Sequence, residues 1–345
     1  MANIKNPYRI WNHLPDVGTL TPPDVYFNRR DFIKKVGAGS IALTGFAGMG
    51  ASSLFAQQVR VDKKDLRVIE HPGLDRKNVL DKFPVPQNKN FVKIPGELTA
   101  ITPKQDAMSY NNFYEYTLDK AKVWKVCQDF VPDPWKIEIT GECRKPKTLD
   151  IDDIYKFPME QRNYRFRCVE AWAMNVPWDG VPFHRILESV EPTSNAKYVK
   201  FTCVERPKQM PGQVSMPWYP WPYFEAWRMD EAMNELVLLV TGMYGQPIPI
   251  QNGSPFRMII PWKYGYKGPK CMVKIELTKK RPPTFWHTEV PDEYSWLSNI
   301  DPNVPHPRWS QATESVLGTG KRRPTLMYGG YGEYVAKLYQ KPDQS

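Results

Sequence analysis

The chain has 345 residues, of which 41% are hydrophobic and 24% charged, the balance of a globular protein with a sizeable core in one large domain or two ordinary ones. Its 34 prolines and 12 tryptophans argue against long uninterrupted helices and against wholesale disorder, and no heptad or internal repeat is present, which excludes coiled coil and solenoid. The formal charge of +10 falls to about +7 without residues 1–56, a moderate surplus that suits an anionic cofactor or membrane surface.

Residues 27–35 read Phe-Asn-Arg-Arg-Asp-Phe-Ile-Lys-Lys, and a weakly apolar run rich in Gly, Ala and Ser follows as far as Ala56. Paired arginines ahead of a modest apolar stretch predict a twin-arginine export signal over residues 1–56 rather than a membrane anchor, because the run is too weakly hydrophobic to hold a bilayer. Export places the protein in the periplasm and argues against nucleic acid as a partner. Proteins that travel this route are already folded, commonly around a cofactor.

Residues 57–110 alternate charge and proline and read as an extended N-terminal arm. Trp135-Lys-Ile-Glu-Ile-Thr140 alternates like a half-buried strand, and Asp150-Ile-Asp-Asp153 resembles a helix start with an acidic first turn. Residues 164–172 predict a strand that runs into a loop at 174–177. A short helix is expected over 183–190 and another strand over 197–204. Residues 217–222 form an aromatic-proline loop, residues 224–233 predict a helix, and 236–240, 256–261 and 272–277 predict strands. From Pro282 onward the chain reads as irregular. The pattern is α+β, without a Rossmann fingerprint or a P-loop.

The five cysteines are Cys127, Cys143, Cys168, Cys203 and Cys271, with no Cys-x-x-Cys pair, and none of the five histidines stands at metal-ligand spacing. Any metal must therefore bring most of its own ligands. Cys168 lies between Arg167 and Glu170 where a strand meets a loop, and nearby guanidinium groups favour the nucleophilic, metal-binding thiolate. On residue type alone a buried structural thiol is the commoner use. Gly253, Gly265 and Gly268, with Arg257, Lys263, Lys267 and Lys270, form a segment able to cradle a phosphate; an ordinary hairpin with surface lysines accounts for the same composition.

Several longer segments are more specific: Tyr110-Asn-Asn-Phe-Tyr-Glu115, Arg167-Cys-Val-Glu-Ala-Trp172, Glu191-Pro-Thr-Ser-Asn-Ala-Lys-Tyr198, Gln209-Met-Pro-Gly-Gln213, Gln251-Asn-Gly253, Pro261-Trp-Lys-Tyr-Gly265 and Pro305-His-Pro-Arg-Trp-Ser-Gln-Ala-Thr-Glu314. In this order, across nearly the whole chain after the signal, they resemble the catalytic subunits of periplasmic protein-methionine-sulfoxide reductases (MsrP type), in the sulfite oxidase superfamily of molybdopterin enzymes. The resemblance implies a sulfite oxidase-type fold with mixed β-sheets and no C-terminal immunoglobulin-like dimerisation domain. Residues 111–285 would form the molybdopterin-binding catalytic domain, with 286–345 an irregular segment packed on it.

The resemblance further implies one molybdenum held by a single pyranopterin and by Cys168, which would be both metal ligand and catalytic residue. Cofactor contacts carry over to Asn111, Tyr114, Glu115, Asn252, Arg257, Gly268, Pro269 and Lys270. Cys203 stands where the family typically has Thr, and a thiol replaces a hydroxyl donor poorly. The implied reaction is oxygen-atom transfer from methionine sulfoxide in exported proteins to Mo(IV), with electrons from the quinone pool through a membrane-embedded haem b subunit and a catalytic subunit that is otherwise monomeric. The aromatic loop at 217–224 is the expected rim for a protein substrate. A sulfite dehydrogenase or a general S- or N-oxide reductase on the same fold is the nearest alternative. A cofactor-free exported anion-binding protein is the alternative of another class.

Overall fold

The computed structural model describes residues 61–340, and the expected export signal lies outside them. Two mixed sheets carry the structure. The first has the order β2-β1-β10-β5-β6, built from β1 (Lys136–Gly141), β2 (Lys147–Asp150), β5 (Tyr198–Cys203), β6 (Phe224–Arg228) and β10 (Met272–Thr278). Strand β1 runs parallel to β10, with Glu138 opposite Lys274, and the other pairs are antiparallel. Ile137 and Ile139 of β1 are buried while Lys136 and Glu138 face water, the alternation of a sheet with one covered face.

The second sheet has seven strands around β4 (Trp172–Pro182). Strand β3 (Glu160–Arg167) pairs with β4 along its whole length. On the other edge of β4 lie β11 (Thr313–Val316), in parallel, and β7 (Leu238–Met243), antiparallel. Strands β8 (Gln246–Pro247) and β9 (Arg257–Ile259) pair with β7, and β12 (Lys321–Pro324) pairs with β11. All eleven residues of β4 are buried, as befits a strand paired on both edges and covered on both faces. This is the expected α+β architecture.

The local structure departs from expectation in several places. The strand expected over 164–172 ends at Arg167, and a turn separates it from Trp172. Residues 174–177 belong to β4 instead of a loop. Pro177 and Asn175 mimic a turn signal, yet Pro177 sits opposite Asn163, and the β7 ladder begins only at Trp178. The buried Asn175 amide meanwhile donates to Leu98 O (2.7 Å) and Ala100 O (2.9 Å). The helix expected over 224–233 is split into β6 and a short helix, Met229–Ala232, because Trp227 packs on Phe201 of β5 with ring centroids 4.5 Å apart. Cross-strand aromatic packing outweighs the helix propensity of Glu-Ala. The tail expected to be irregular contains the β11–β12 hairpin, turned at Gly318 and Gly320 with φ of +79° and +64°.

The helix starts at Asp150 and Phe183 are as expected, whereas the arm is not wholly extended. Asp150 caps the helix Ile151–Ile154, accepting from Asp153 N at 2.9 Å, while the Asp153 carboxylate accepts from Asp150 N at 3.3 Å. The helix Phe183–Ser189 buries Phe183, Ile186 and Leu187. Residues 61–110 contain the short helices Leu66–Ile69, Lys77–Leu80 and Lys104–Ser109. They are pinned to the body by Gln246 Nε2 donating to Glu70 O (2.9 Å) and Gln251 Nε2 donating to Ile69 O (2.6 Å). No helix among the described residues is long and apolar enough to cross a membrane.

Candidate active site

Strand β3 ends in a tight turn that presents Cys168. Cys168 N donates to Trp172 O at 2.9 Å, Ala171 N donates to Cys168 O at 3.2 Å, and Ala171 takes φ +62°, a left-handed conformation costly for alanine that surrounding contacts must enforce. Those contacts come from the tail. Trp309 Nε1 and Gln311 Nε2 both donate to Val169 O at 2.8 Å, and Ser315 N donates to Ala171 O at 2.9 Å. Arg167 donates to Cys168 O. The turn is thereby fixed from behind, and the thiol faces a cleft of about 890 Å³ measured to its open mouth.

One side of this cleft is polar. Asn112 Nδ2 lies 3.2 Å from Cys168 Sγ and 3.1 Å from Glu170 Oε2, and Lys120 Nζ pairs with the same carboxylate oxygen at 2.8 Å. The thiol's acidity differs from expectation. Burial first, then the Glu170 carboxylate, push the Cys168 pKa up to about 12, with Arg167 only a minor opposing influence. The flanking guanidiniums pair with Glu314, Arg165 at 3.0 Å and Arg167 at 2.9 Å, and Arg167's pull on the thiol is outweighed by burial and Glu170. A thiol held this way loses its proton only to a cation bound at the sulfur.

Another part of the lining is aromatic. Trp221, Tyr223, Phe285, Trp286 and Tyr294 line it, with Tyr223 stacked on Phe285 at 4.8 Å and Trp286 meeting Tyr294 at 5.3 Å. Trp221 and Tyr223 thus come from the loop expected to form the rim.

Of the residues carried over from the family motifs, Asn111, Tyr114, Glu115, Cys168, Arg257 and Lys270 line the cleft. Cys203, Asn252, Gly268 and Pro269 stand behind that lining. Gly268 is pressed onto β9, where an added Cβ would come within 2.4 Å of Met258 O, and Pro269 O accepts from Met258 N at 2.9 Å. Cys203 is buried at the end of β5, its pKa raised by burial and by Glu115. Lys263 and Lys267 do not serve the cleft. Each is locked in a buried ion pair, Lys263 with Glu231 at 2.6 Å and Lys267 with Glu225 at 3.0 Å.

Sequence reasoning assigned no role to Asn112, Glu170 and Lys120. Asn112 was marked only by its place in the Asn pair, Glu170 by its place two residues after Cys168, and nothing local points to Lys120.

The residues present fit a molybdopterin. Asn111 and Asn252 both donate their amides to Ala107 O (3.4 and 3.0 Å), leaving both buried side-chain oxygens without a donor. Arg257 donates Nη1 to Asn252 O at 3.0 Å, while its buried Nε has no partner. Its guanidinium lies over Phe166 and Trp178, and burial lowers its pKa to about 10. Among the described residues neither Arg257 nor Lys270 has a carboxylate within ion-pair distance. Vacant acceptors beside Arg257, which has no carboxylate partner, and beside the buried Lys270, which is drawn to Glu115, match a group with ring N–H donors and a phosphate. Among the described residues no three His, Cys, Asp or Glu side chains gather as a metal-ligand set, so a soft metal at Cys168 would draw its other ligands from the cofactor.

Residues 123–286 match the family described as the oxidoreductase molybdopterin binding domain. The protein-methionine-sulfoxide reductase catalytic subunit MsrP of Burkholderia mallei is 42% identical over 330 residues, covering 94% of this chain and 92% of that protein. Among solved structures, the sulfane dehydrogenase SoxCD of Paracoccus pantotrophus aligns with a TM-score of 0.36 at 16% identity, over 42% of this chain and 38% of that one. Identity at this level along almost the full length, together with the matched domain, places the chain in the family of MsrP-type protein-methionine-sulfoxide reductase catalytic subunits, molybdopterin-binding oxidoreductases.

Proposed function

We propose that this protein reduces methionine sulfoxide in exported proteins, using molybdenum held by Cys168 and by a single pyranopterin. The observation that carries the reading is the cleft itself, whose lining brings one thiol together with aromatic rings and with the buried cations Arg257 and Lys270. Asn111, Tyr114, Glu115, Cys203, Asn252, Arg257 and the segment Gly268, Pro269 and Lys270 would hold the cofactor. When bound, the cofactor supplies the two-electron chemistry of oxygen-atom transfer.

The chain's own residues do the rest. Asn112 Nδ2, already beside Cys168 Sγ, orients the sulfoxide oxygen by donating a hydrogen bond. Reduction to the thioether consumes two electrons and two protons and releases water. Glu170, held by Lys120 and Asn112, is the carboxyl placed to pass those protons. The aromatic wall receives the neutral methionine side chain, whose sulfur packs well on ring edges. Sulfite, an anion, would meet the Glu170 carboxylate and an apolar wall, so the cleft favours the sulfoxide.

Electrons would come from the quinone pool through a membrane haem b subunit, and the twin-arginine signal would place the enzyme in the periplasm. Support for a partner lies in the relative's designation as a catalytic subunit.

The test is elemental analysis of protein from a molybdate-fed host beside its Cys168→Ser variant, followed by assays on oxidised protein and on sulfite. About one molybdenum per chain, altered or lost in the variant, with turnover of oxidised protein, is the expected result. A wild type without molybdenum would overturn the reading and favour a cofactor-free anion binder.

A further inference from the structure

Behind the Cys168 turn lies a buried charge cluster that neither cofactor binding nor substrate binding uses. Glu314 on β11 forms ion pairs with three guanidiniums, Arg165 (3.0 Å), Arg167 (2.9 Å) and Arg323 (2.7 Å). All four side chains are 1% exposed or less. The remaining hydrogen bonds of the arginines end on neutral acceptors. Arg165 reaches Pro95 O and Pro324 O, Arg167 reaches Cys168 O and Gln311 Oε1, and Arg323 reaches Glu97 O, Leu98 O and Asn175 Oδ1. Among the described residues the cluster therefore holds three cations against one carboxylate, and arginine does not shed its proton in proteins.

A formal charge of +2 kept out of water is costly, and pinning a turn does not require it, since neutral side chains make the same bonds. The charge stands immediately beside one residue. Arg167 precedes Cys168 in the chain and donates to its carbonyl, so the cluster's field falls on the sulfur and whatever the sulfur holds. Positive charge in a low-dielectric interior favours the reduced, more negative state of a nearby redox centre. We propose that Arg165, Arg167 and Arg323, with Glu314 and Gln311, form a positioning and tuning set that raises the reduction potential of the molybdenum. This inference rests on the reading of Cys168 as the metal ligand. It gives the β11–β12 hairpin a task beyond packing.

The test is a redox titration of the holoenzyme's molybdenum, followed by electron paramagnetic resonance, with metal content measured first. Gln311→Glu sets an isosteric carboxylate against Arg167 Nη2, 2.6 Å away, while Val169 O keeps its bond from Trp309. Its potential should shift down. Glu314→Gln raises the cluster's charge, and its potential should shift up. Arg323→Lys preserves the charge and should leave the potential in place. Shifts of the same sign in the first two variants, or no shift in either at full molybdenum content, would overturn the proposal. If Glu314→Gln does not fold, Gln311→Glu against Arg323→Lys decides the matter. A wild type devoid of molybdenum would instead remove the cofactor reading beneath it.

Discussion

Asn112 donates its side-chain amide to Cys168 Sγ across 3.2 Å while the same nitrogen reaches Glu170 Oε2 at 3.1 Å. One side chain from the arm-proximal motif therefore bridges the thiol and the carboxylate of the Cys168 turn, and it is the donor assigned to the substrate oxygen in the proposed reaction.

Replacing Asn112 by Ala removes that donor without touching the metal ligand. We expect kcat/KM for oxidised protein to fall roughly 100-fold, the usual cost of losing one preorganised donor, with molybdenum content unchanged. Steady-state kinetics beside elemental analysis checks both halves. Activity within a factor of two of wild type would show that Asn112 takes no part.

Arg257 has opposite effects on the empty and the loaded protein. In protein from a molybdate-starved host the Arg257→Met variant should be as stable as wild type or more so, by about 1 kcal/mol or more, because a buried cation without a carboxylate partner is gone. From a molybdate-fed host the variant should retain less than a tenth of the wild-type molybdenum. Thermal denaturation and metal analysis together provide the check.

Lys267 behaves otherwise, because its charge is already answered. Glu225→Ala should destabilise the protein by about 3–5 kcal/mol, the cost of stranding a buried partner. The double variant Glu225→Leu with Lys267→Met should recover most of that loss and keep its molybdenum. A double variant that folds yet lacks metal would return Lys267 to the cofactor cradle. Denaturant titration measures the energies.

Asp179 makes stability depend on pH. Burial raises its pKa from 3.8 to about 6, against hydrogen bonds from Gln161 and Gly245 N. The folded protein thus holds this proton to higher pH than the unfolded chain does. Its contribution is fully present below pH 3.8 and is lost as pH rises to about 6, a change on the order of 2–3 kcal/mol. In denaturant titrations from pH 4 to 7, wild type should lose stability relative to Asp179→Asn, whose amide stands in for the protonated acid, across that window. A constant difference would refute the assignment.

Much of this was legible in the chain. Alternation placed β1 and β5, and the acidic turn at Asp150 placed its helix, because each rests on contacts a few residues apart. Long motifs singled out Cys168, Arg257 and Lys270, which the fold brings to the lining of one cleft. What could not be read is set by partners far along the chain. The pairing of Lys263 with Glu231 and of Lys267 with Glu225 makes four neighbouring cations into two pairs of opposite purpose, and no local pattern distinguishes them. The raised pKa of the Cys168 thiol has the same origin, since the burial that outweighs Arg167 is created only by the fold.

The Cys168 turn is fastened by Trp309 and Gln311, 140 and 142 residues later than the carbonyl they hold. A nascent chain that has not yet released its final forty or so residues can form β3 but cannot lock the thiol in place. On the role proposed for Cys168, metal loading would come after translation is complete, and a prematurely stopped chain would remain without metal.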